Sequence, residues 1–270
     1  DFDVLAPVRS LGLSREDSTA YLQERGFSVP DDTTTYSINR GLWGTTVGGA
    51  ETLTTHEPLP EEAYPDTTAP ADAPDAPLAL QLSFEAGVPV ALDGTAMSGV
   101  EIVEALNDLG GTHGVGRNIH VGDTILGIKG RVGFEAPAAE ILITAHRELE
   151  KIVLSKWQQV HKEQVGSLYG RLMHEGQVFD PVMNDLEAFL DSTQQSVTGE
   201  VDVQLFKGQV RVQGATSPHS LFDSATATYG EENELWDGRD AEGFTTLAAV
   251  QGRLAQKAQA GSPVPAADPS

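Results

Sequence analysis

Cysteine is absent from the 270 residues. That removes a disulfide framework, a thiolate zinc site and a cysteine nucleophile together. No apolar run reaches the roughly 18 residues of a membrane-spanning helix, so no membrane partner is expected. Basic residues are scarce: 17 Lys and Arg stand against 40 Asp and Glu, for a formal charge of −23. Nucleic-acid binding needs a positive footprint, so no nucleic-acid partner is expected either. Only six residues are lysine. Acidity with so little lysine is expected of a halophilic protein, whose self-repulsion high salt screens; an ordinary acidic cytosolic protein is the other reading. The opening residues Asp1-Phe2-Asp3 carry no basic leader region, and a cytoplasmic location is expected.

A chain of this length can bury roughly 70–75% of its unfolded surface and so build a sizeable core. Its most distinctive stretch runs from Gly110 to Pro137 and contains eight glycines. Such density suggests turns with positive φ, or backbone lying close to something else. Between the glycines sit His113, Arg117, His120, Asp123, Lys129, Arg131 and Glu135. Charged groups of both signs on a glycine-rich loop can serve a small polar ligand, or they can be the solvated edge of a twisted strand with two turns. Neither glycine pattern that cradles phosphate, G-x-x-x-x-G-K-[ST] or G-x-G-x-x-G, occurs there.

In chain order, Val4 to Pro7 reads as the end of a buried strand. Ser14-x-x-Asp17 then caps a helix that Gly26 should stop. Tyr36 to Gly49 brings Ser37, Asn39, Thr45 and Thr46 close to Trp43. Glu57 to Pro77 holds six prolines and six acidic residues, which predicts a surface excursion or a linker. Leu78, Leu80, Leu82 and Phe84 alternate with polar or small residues, and Ala86-Gly87 turns the chain into a hairpin. Ser98-x-x-Glu101 caps a helix ending at Gly110-Gly111. Pro137 opens a long helix with Ile141, Leu142, Ala145, Leu149, Ile152 and Val153 on one face. Helices follow over Trp157–Met173 and from Asp180-Pro181, the latter with Val182, Leu186, Phe189 and Leu190 inward. His146, His161 and His174 read as ordinary surface or cap residues, because no pair has the i, i+4 spacing of a helical metal site. A second hairpin turns at Lys207-Gly208. Ala241 to Ala260 forms a last helix, and 261–270 has the composition of a disordered tail. The expected class is α+β: antiparallel hairpins packed with several long helices.

Several of these segments, in this order, resemble the argininosuccinate synthase family. They are APVR at Ala6–Arg9, YSINRGLW at Tyr36–Trp43, GVPVALDG at Gly87–Gly94, the Gly110–Pro137 stretch, VTG at Val197–Gly199, LFKG at Leu205–Gly208, SPHSL at Ser217–Leu221 and DAxGF at Asp240–Phe244. The resemblance implies a ligase in which ATP, with Mg2+, adenylates the ureido oxygen of citrulline and the amine of aspartate displaces AMP. It implies that 1–30 ends a nucleotide-binding domain and 31–243 is the synthetase domain. A helix over 244–260 would serve a homotetramer. The family's phosphate loop, Ser-Gly-Gly-x-Asp, is not among these residues, so the chain alone is expected to hold only part of an active site. A non-catalytic assembly or binding module descended from the family is the alternative.

Carried over by position, the resemblance implies citrulline contacts at Ser37, Thr46, Gly122 and Phe134, with Asp123 and Arg131 beside them. Two of these depart from the family pattern: Gly122 stands where a glutamate would answer the substrate ammonium, and Phe134 stands where a tyrosine would. An ammonium deprived of its buried carboxylate costs roughly 3–5 kcal/mol. Either Asp123 restores the charge, or the ligand is an N-acylated citrulline with no ammonium.

Overall fold

The computed structural model describes residues 3–29, 35–222 and 235–261. Contacts divide the chain into two compact units, Asp1–Ser220 and Leu221–Ser270. The expected α+β class is observed, with two wholly antiparallel sheets in the first unit.

Two short helices come first, α1 (Pro7–Leu11) and α2 (Arg15–Glu24). The Ser14–Asp17 capping box forms as expected, and Gly26 follows the helix at φ 80°. The expected strand at Val4 does not form. Val4 and Leu5 are each 89% exposed, and no described strand lies beside them to supply a ladder.

The main core lies between a five-stranded sheet and two helices. Its strands are β3 (Leu78–Glu85), β4 (Val88–Leu92), β5 (Thr95–Ala96), β8 (Gly199–Phe206) and β9 (Gln209–Thr216), in the order β5-β4-β3-β8-β9. Alternation decides which face is buried. Leu80, Leu82 and Phe84 of β3 and Val201, Val203 and Leu205 of β8 all point inward. They meet Ile102, Val103 and Leu106 of α3 (Gly99–Thr112) and Ile141, Leu142, Ala145, Leu149 and Val153 of α4 (Pro137–Val153).

Gly110 and Gly111 do not stop α3, which runs on to Thr112. They are there for close approach: a Cβ on Gly110 would lie 2.8 Å from Pro137 Cβ, and one on Gly111 would lie 2.9 Å from the Asp66 carbonyl. Two further helices, α5 (Lys156–His174) and α6 (Val182–Gln194), pack on each other. On α6 it is Met183 that is buried, whereas Phe189 is 37% exposed. His146 is not a surface residue. Its Nε2 lies 2.9 Å from Gln194 Oε1, its Nδ1 lies 3.7 Å from Glu150, and Lys162 pairs with Glu150 at 2.9 Å.

In the second unit the expected single helix is two, α7 (Gly238–Ala248) and α8 (Val250–Gly261), interrupted at Ala249. Phe244, Leu247, Val250 and Leu254 on them are exposed. The predicted tail beyond Gly261 falls outside the described residues.

Candidate functional site

The second sheet carries most of the residues singled out from the sequence. It comprises β1 (Ser37–Gly41), β2 (Gly44–Gly48), β6 (Arg117–Asp123) and β7 (Lys129–Glu135), in the order β1-β2-β7-β6. The glycine-rich stretch is thus a hairpin, β6 and β7, inserted beside the YSINRGLW hairpin. Gly116, at φ 86°, enters it so tightly that a Cβ would lie 2.5 Å from Pro137 N.

Register sorts the side chains onto two faces, because directly paired residues point the same way and neighbours along a strand point oppositely. One row across the sheet is Asn39, Thr46, Phe134 and Asn118. Two residues along, Ser37 faces Gly48, and at the far end Gly122 faces Gly130. Ser37, Thr46, Phe134 and Gly122 therefore share one face with Asn39, Asn118 and His120. The side chains of Ser37, Asn39, Thr46 and His120 on this front face make no hydrogen bond to a described residue. Their donors and acceptors are available to a ligand.

The back face is structural. Glu135 is 1% exposed. Its carboxylate accepts from the Asp66 amide at 3.2 Å and from the Thr67 hydroxyl at 2.5 Å. Burial pushes the Glu135 carboxyl above the usual carboxylate range, and those hydrogen bonds oppose the rise. Arg117 Nε donates to Thr67 Oγ1 at 2.7 Å, its Nη1 meets Glu61 at 2.5 Å, and its guanidinium lies 4.2 Å from the Tyr64 ring centre. Asp66 in turn accepts from the buried Thr45 at 2.5 Å and pairs with Arg40 at 3.0 Å.

These bonds overturn the linker alternative for Glu57–Pro77, which lies mostly exposed, as a surface excursion does, but is tied down at a few points. Its prolines and acids gave no sign of burial, yet Leu59, Ala63 and Ala73 are buried, and a 3-10 turn forms at Glu61–Ala63. Glu135, one of the charged groups between the glycines, is the residue whose buried role spacing along the chain did not reveal. The sequence signal for it was its place on β7 in strict alternation with Phe134, which puts an acid on the covered face.

Arg131 and Asp123 also lie on the back. Arg131 Nη1 donates to the carbonyls of Glu51 at 2.8 Å and Thr54 at 2.6 Å, and Nη2 donates to that of Glu57 at 2.7 Å. Its fork is occupied by the loop after β2, so it is placed as an anchor rather than as a ligand contact. The same loop is tied to the sheet by Tyr36, whose hydroxyl donates to Glu51 at 2.7 Å. That bond pushes the Tyr36 phenol up to about 12. Asp123 is paired with Lys129 at 2.7 Å and faces away from Gly122. The six residues picked from sequence thus divide four to two. The division follows from the two-residue period of the strands, which spacing along the chain alone does not reveal.

Chemically, the front face offers hydroxyl, amide and imidazole groups around one aromatic ring. It can orient a polar, uncharged group, and its imidazole, His120, is a side chain able to give or take a proton.

Residues 36–255 match the family described as arginosuccinate synthase C-terminal domain. The chain is 42% identical over 254 residues to an argininosuccinate synthase of Archaeoglobus fulgidus, covering 94% of this chain and 65% of that protein. An argininosuccinate synthase of Methanococcoides burtonii is 40% identical over 258 residues, 95% of this chain and 65% of its own length. One of Chlorobaculum tepidum is 42% identical over 249 residues, 90% of this chain and 61% of its own. The chain spans about 65% of the length of the first of these relatives.

Proposed function

The chain belongs to the argininosuccinate synthase family, and from that premise we propose that it is the substrate-holding portion of a C–N ligase joining citrulline to aspartate in arginine biosynthesis. In this reading the ureido oxygen attacks the α-phosphorus of ATP and diphosphate leaves. The amine of aspartate then attacks the activated ureido carbon and AMP departs. Adenylation is needed because a ureido oxygen is a poor leaving group, whereas AMP is a good one.

What this chain contributes is orientation. Ser37 and Thr46 present hydroxyls from neighbouring strands, Asn39 and Asn118 add amides, and Phe134 gives the ligand an apolar wall. The observation that carries the reading is this row of open polar side chains on one face, in a chain whose family is established.

The glycine-rich hairpin of this site carries neither phosphate-cradling pattern, so it is not where the magnesium nucleotide would sit. Among the described residues no group of three or more His, Asp or Glu side chains could hold a metal ion. We assign ATP and Mg2+ to the part of the family's length that this chain does not span, and no step here is routed through the metal.

Two further parts of the proposal concern the whole protein. The exposed apolar residues Phe244, Leu247, Val250 and Leu254 suit α7 and α8 to docking in a homotetramer. The charge of −23 suits a halophilic protein, whose melting temperature should climb between about 0.05 and 3 M KCl; a flat response would remove the idea. The test of function is AMP formation by the complete synthase that carries this chain. AMP should require ATP, aspartate and a ureido amino acid together. AMP release without a ureido compound, or none with it, refutes the proposal.

A further inference from the structure

The front face is crossed by a seam. Ser37, Asn39 and Thr46 stand on the β1-β2 hairpin, and Asn118 and Phe134 stand on the β6-β7 hairpin. Each hairpin is paired along its whole length, Ser37–Gly41 with Gly44–Gly48 and Arg117–Asp123 with Lys129–Glu135. The two are joined to each other only at Thr45–Glu135, Thr46–Phe134 and Val47–Gly133. A ligand lying on the row Asn39-Thr46-Phe134-Asn118 spans that join, so its contacts depend on how the two hairpins sit side by side.

One residue along each strand, and on the opposite face, runs a second row, Arg40-Thr45-Glu135-Arg117. Two consecutive residues from outside the sheet, Asp66 and Thr67, gather all four. The Asp66 carboxylate accepts from the Thr45 hydroxyl at 2.5 Å and takes the Arg40 guanidinium on both oxygens, at 3.0 and 3.3 Å. The Asp66 amide and the Thr67 hydroxyl donate to Glu135 at 3.2 and 2.5 Å, and the Thr67 oxygen accepts from Arg117 Nε at 2.7 Å. Every strand of the sheet is held, and the bonds cross the seam, with Thr45 on one side and Glu135 on the other. The pair is itself fixed through backbone. The Thr68 amide donates to the Gly111 carbonyl at 2.9 Å, and a Cβ on Gly111 would lie 2.9 Å from the Asp66 carbonyl. The row is thereby referred to α3 and the main core.

Resting on the reading that the front face holds the ureido substrate, we propose that Asp66 and Thr67 are positioning residues for it: they lock the two hairpins together behind the row and so set the spacing of the groups in front. Neither side chain reaches the front face. Each back residue is the chain neighbour of a front one: Arg40 follows Asn39, Thr45 precedes Thr46, Glu135 follows Phe134 and Arg117 precedes Asn118. A shift behind is therefore carried to the front by a single peptide unit. Misplacement by about 1 Å can cost on the order of a hundredfold where groups must be aligned. Arg131, also on the back, differs in that it ties β7 to a loop and not to another strand.

The test measures KM for citrulline and for ATP in the complete synthase, reading aspartate-dependent AMP formation. Thr67→Val keeps the shape and removes the hydroxyl; Asp66→Ala removes the carboxylate and leaves the amide. Each should raise the citrulline KM by about tenfold or more and leave the ATP KM within about twofold of native. Thr67→Ser, which keeps the hydroxyl, and Asp66→Asn, which keeps an acceptor for Thr45, should restore most of the native value. Thr67→Val leaves the buried Glu135 a donor short and can fail to fold. Asp66→Ala then decides, because the Asp66 side chain is 36% exposed. Variants that melt lower with a native citrulline KM overturn the inference and leave the ligase reading standing. An equal rise in both KM values overturns it as well, since it reports general loosening. A native synthase that forms no AMP with citrulline refutes the ligase reading, and this inference with it.

Discussion

Replacing Arg131 by alanine should loosen the loop after β2 and leave substrate recognition to the other face of the sheet. The guanidinium holds three backbone carbonyls, those of Glu51, Thr54 and Glu57, at 2.6–2.8 Å. A charge-assisted hydrogen bond contributes about 1.5–3 kcal/mol when well shielded. Arg131 is half-buried and the freed carbonyls can turn to water, so about 1 kcal/mol per bond is the better figure. The total is then about 2–3 kcal/mol, which for a unit of this size corresponds to a fall in melting temperature of roughly 5–10 °C.

Arg131→Lys should lose most of the same amount, since a single ammonium cannot reproduce the planar fork. Differential scanning fluorimetry measures the shift. Limited proteolysis should report new cleavage between Ala50 and Glu57. An unchanged melt and digest, together with a raised KM for the ureido substrate, would refute the anchor role. Arg131 would then belong with the ligand contacts.

Three other perturbations test the fold and its assembly. Gly116→Ala places a methyl 2.5 Å from Pro137 N at φ 86°, so it should destabilise by about 3 kcal/mol or more and largely abolish folded protein, measured by circular dichroism. His146 is held below its usual value of 6.5, chiefly by burial and also by Lys162, with Glu150 and Gln194 opposing. A depressed pKa gives stability that is present above the unfolded value and lost as pH falls below it. The native melting temperature should therefore decline below about pH 6.5, and His146→Gln should flatten part of that decline. Truncation after Gly243 should reduce the particle mass seen by light scattering; an unchanged mass would count against the tetramer proposal.

The hairpins and capped helices were legible because their signals are local. Leu78 to Phe84 alternates in one strand, Lys207-Gly208 adopts positive φ at both turn positions, and Ser14 and Ser98 each form a capping box. What could not be read depends on pairing across the chain. Nothing local says that Asp66 and Thr67, in a proline-rich segment, will close over Glu135 nearly seventy residues later, because a buried carboxylate is stabilised by its remote donors.

The site shows the same limit. Ser37, Thr46, Gly122 and Phe134 come together only when β2 pairs with β7, and the same pairing sends Arg131 and Asp123 to the back. Equally, Gly110 and Gly111 read as a helix stop in one dimension and prove to be contact points between packed elements in three.

The central claim is that the front face of the β1-β2-β7-β6 sheet holds the ureido substrate. Steady-state kinetics of Ser37→Ala and Thr46→Ala in the complete synthase test it most directly, since neither hydroxyl supports the fold by a hydrogen bond to a described residue. Each variant should raise the KM for the ureido substrate by about tenfold, as expected when a hydroxyl contact worth about 1–1.5 kcal/mol is removed, with the KM for ATP and the melting temperature unchanged. A ureido KM that stays at the native value in both variants would contradict the account.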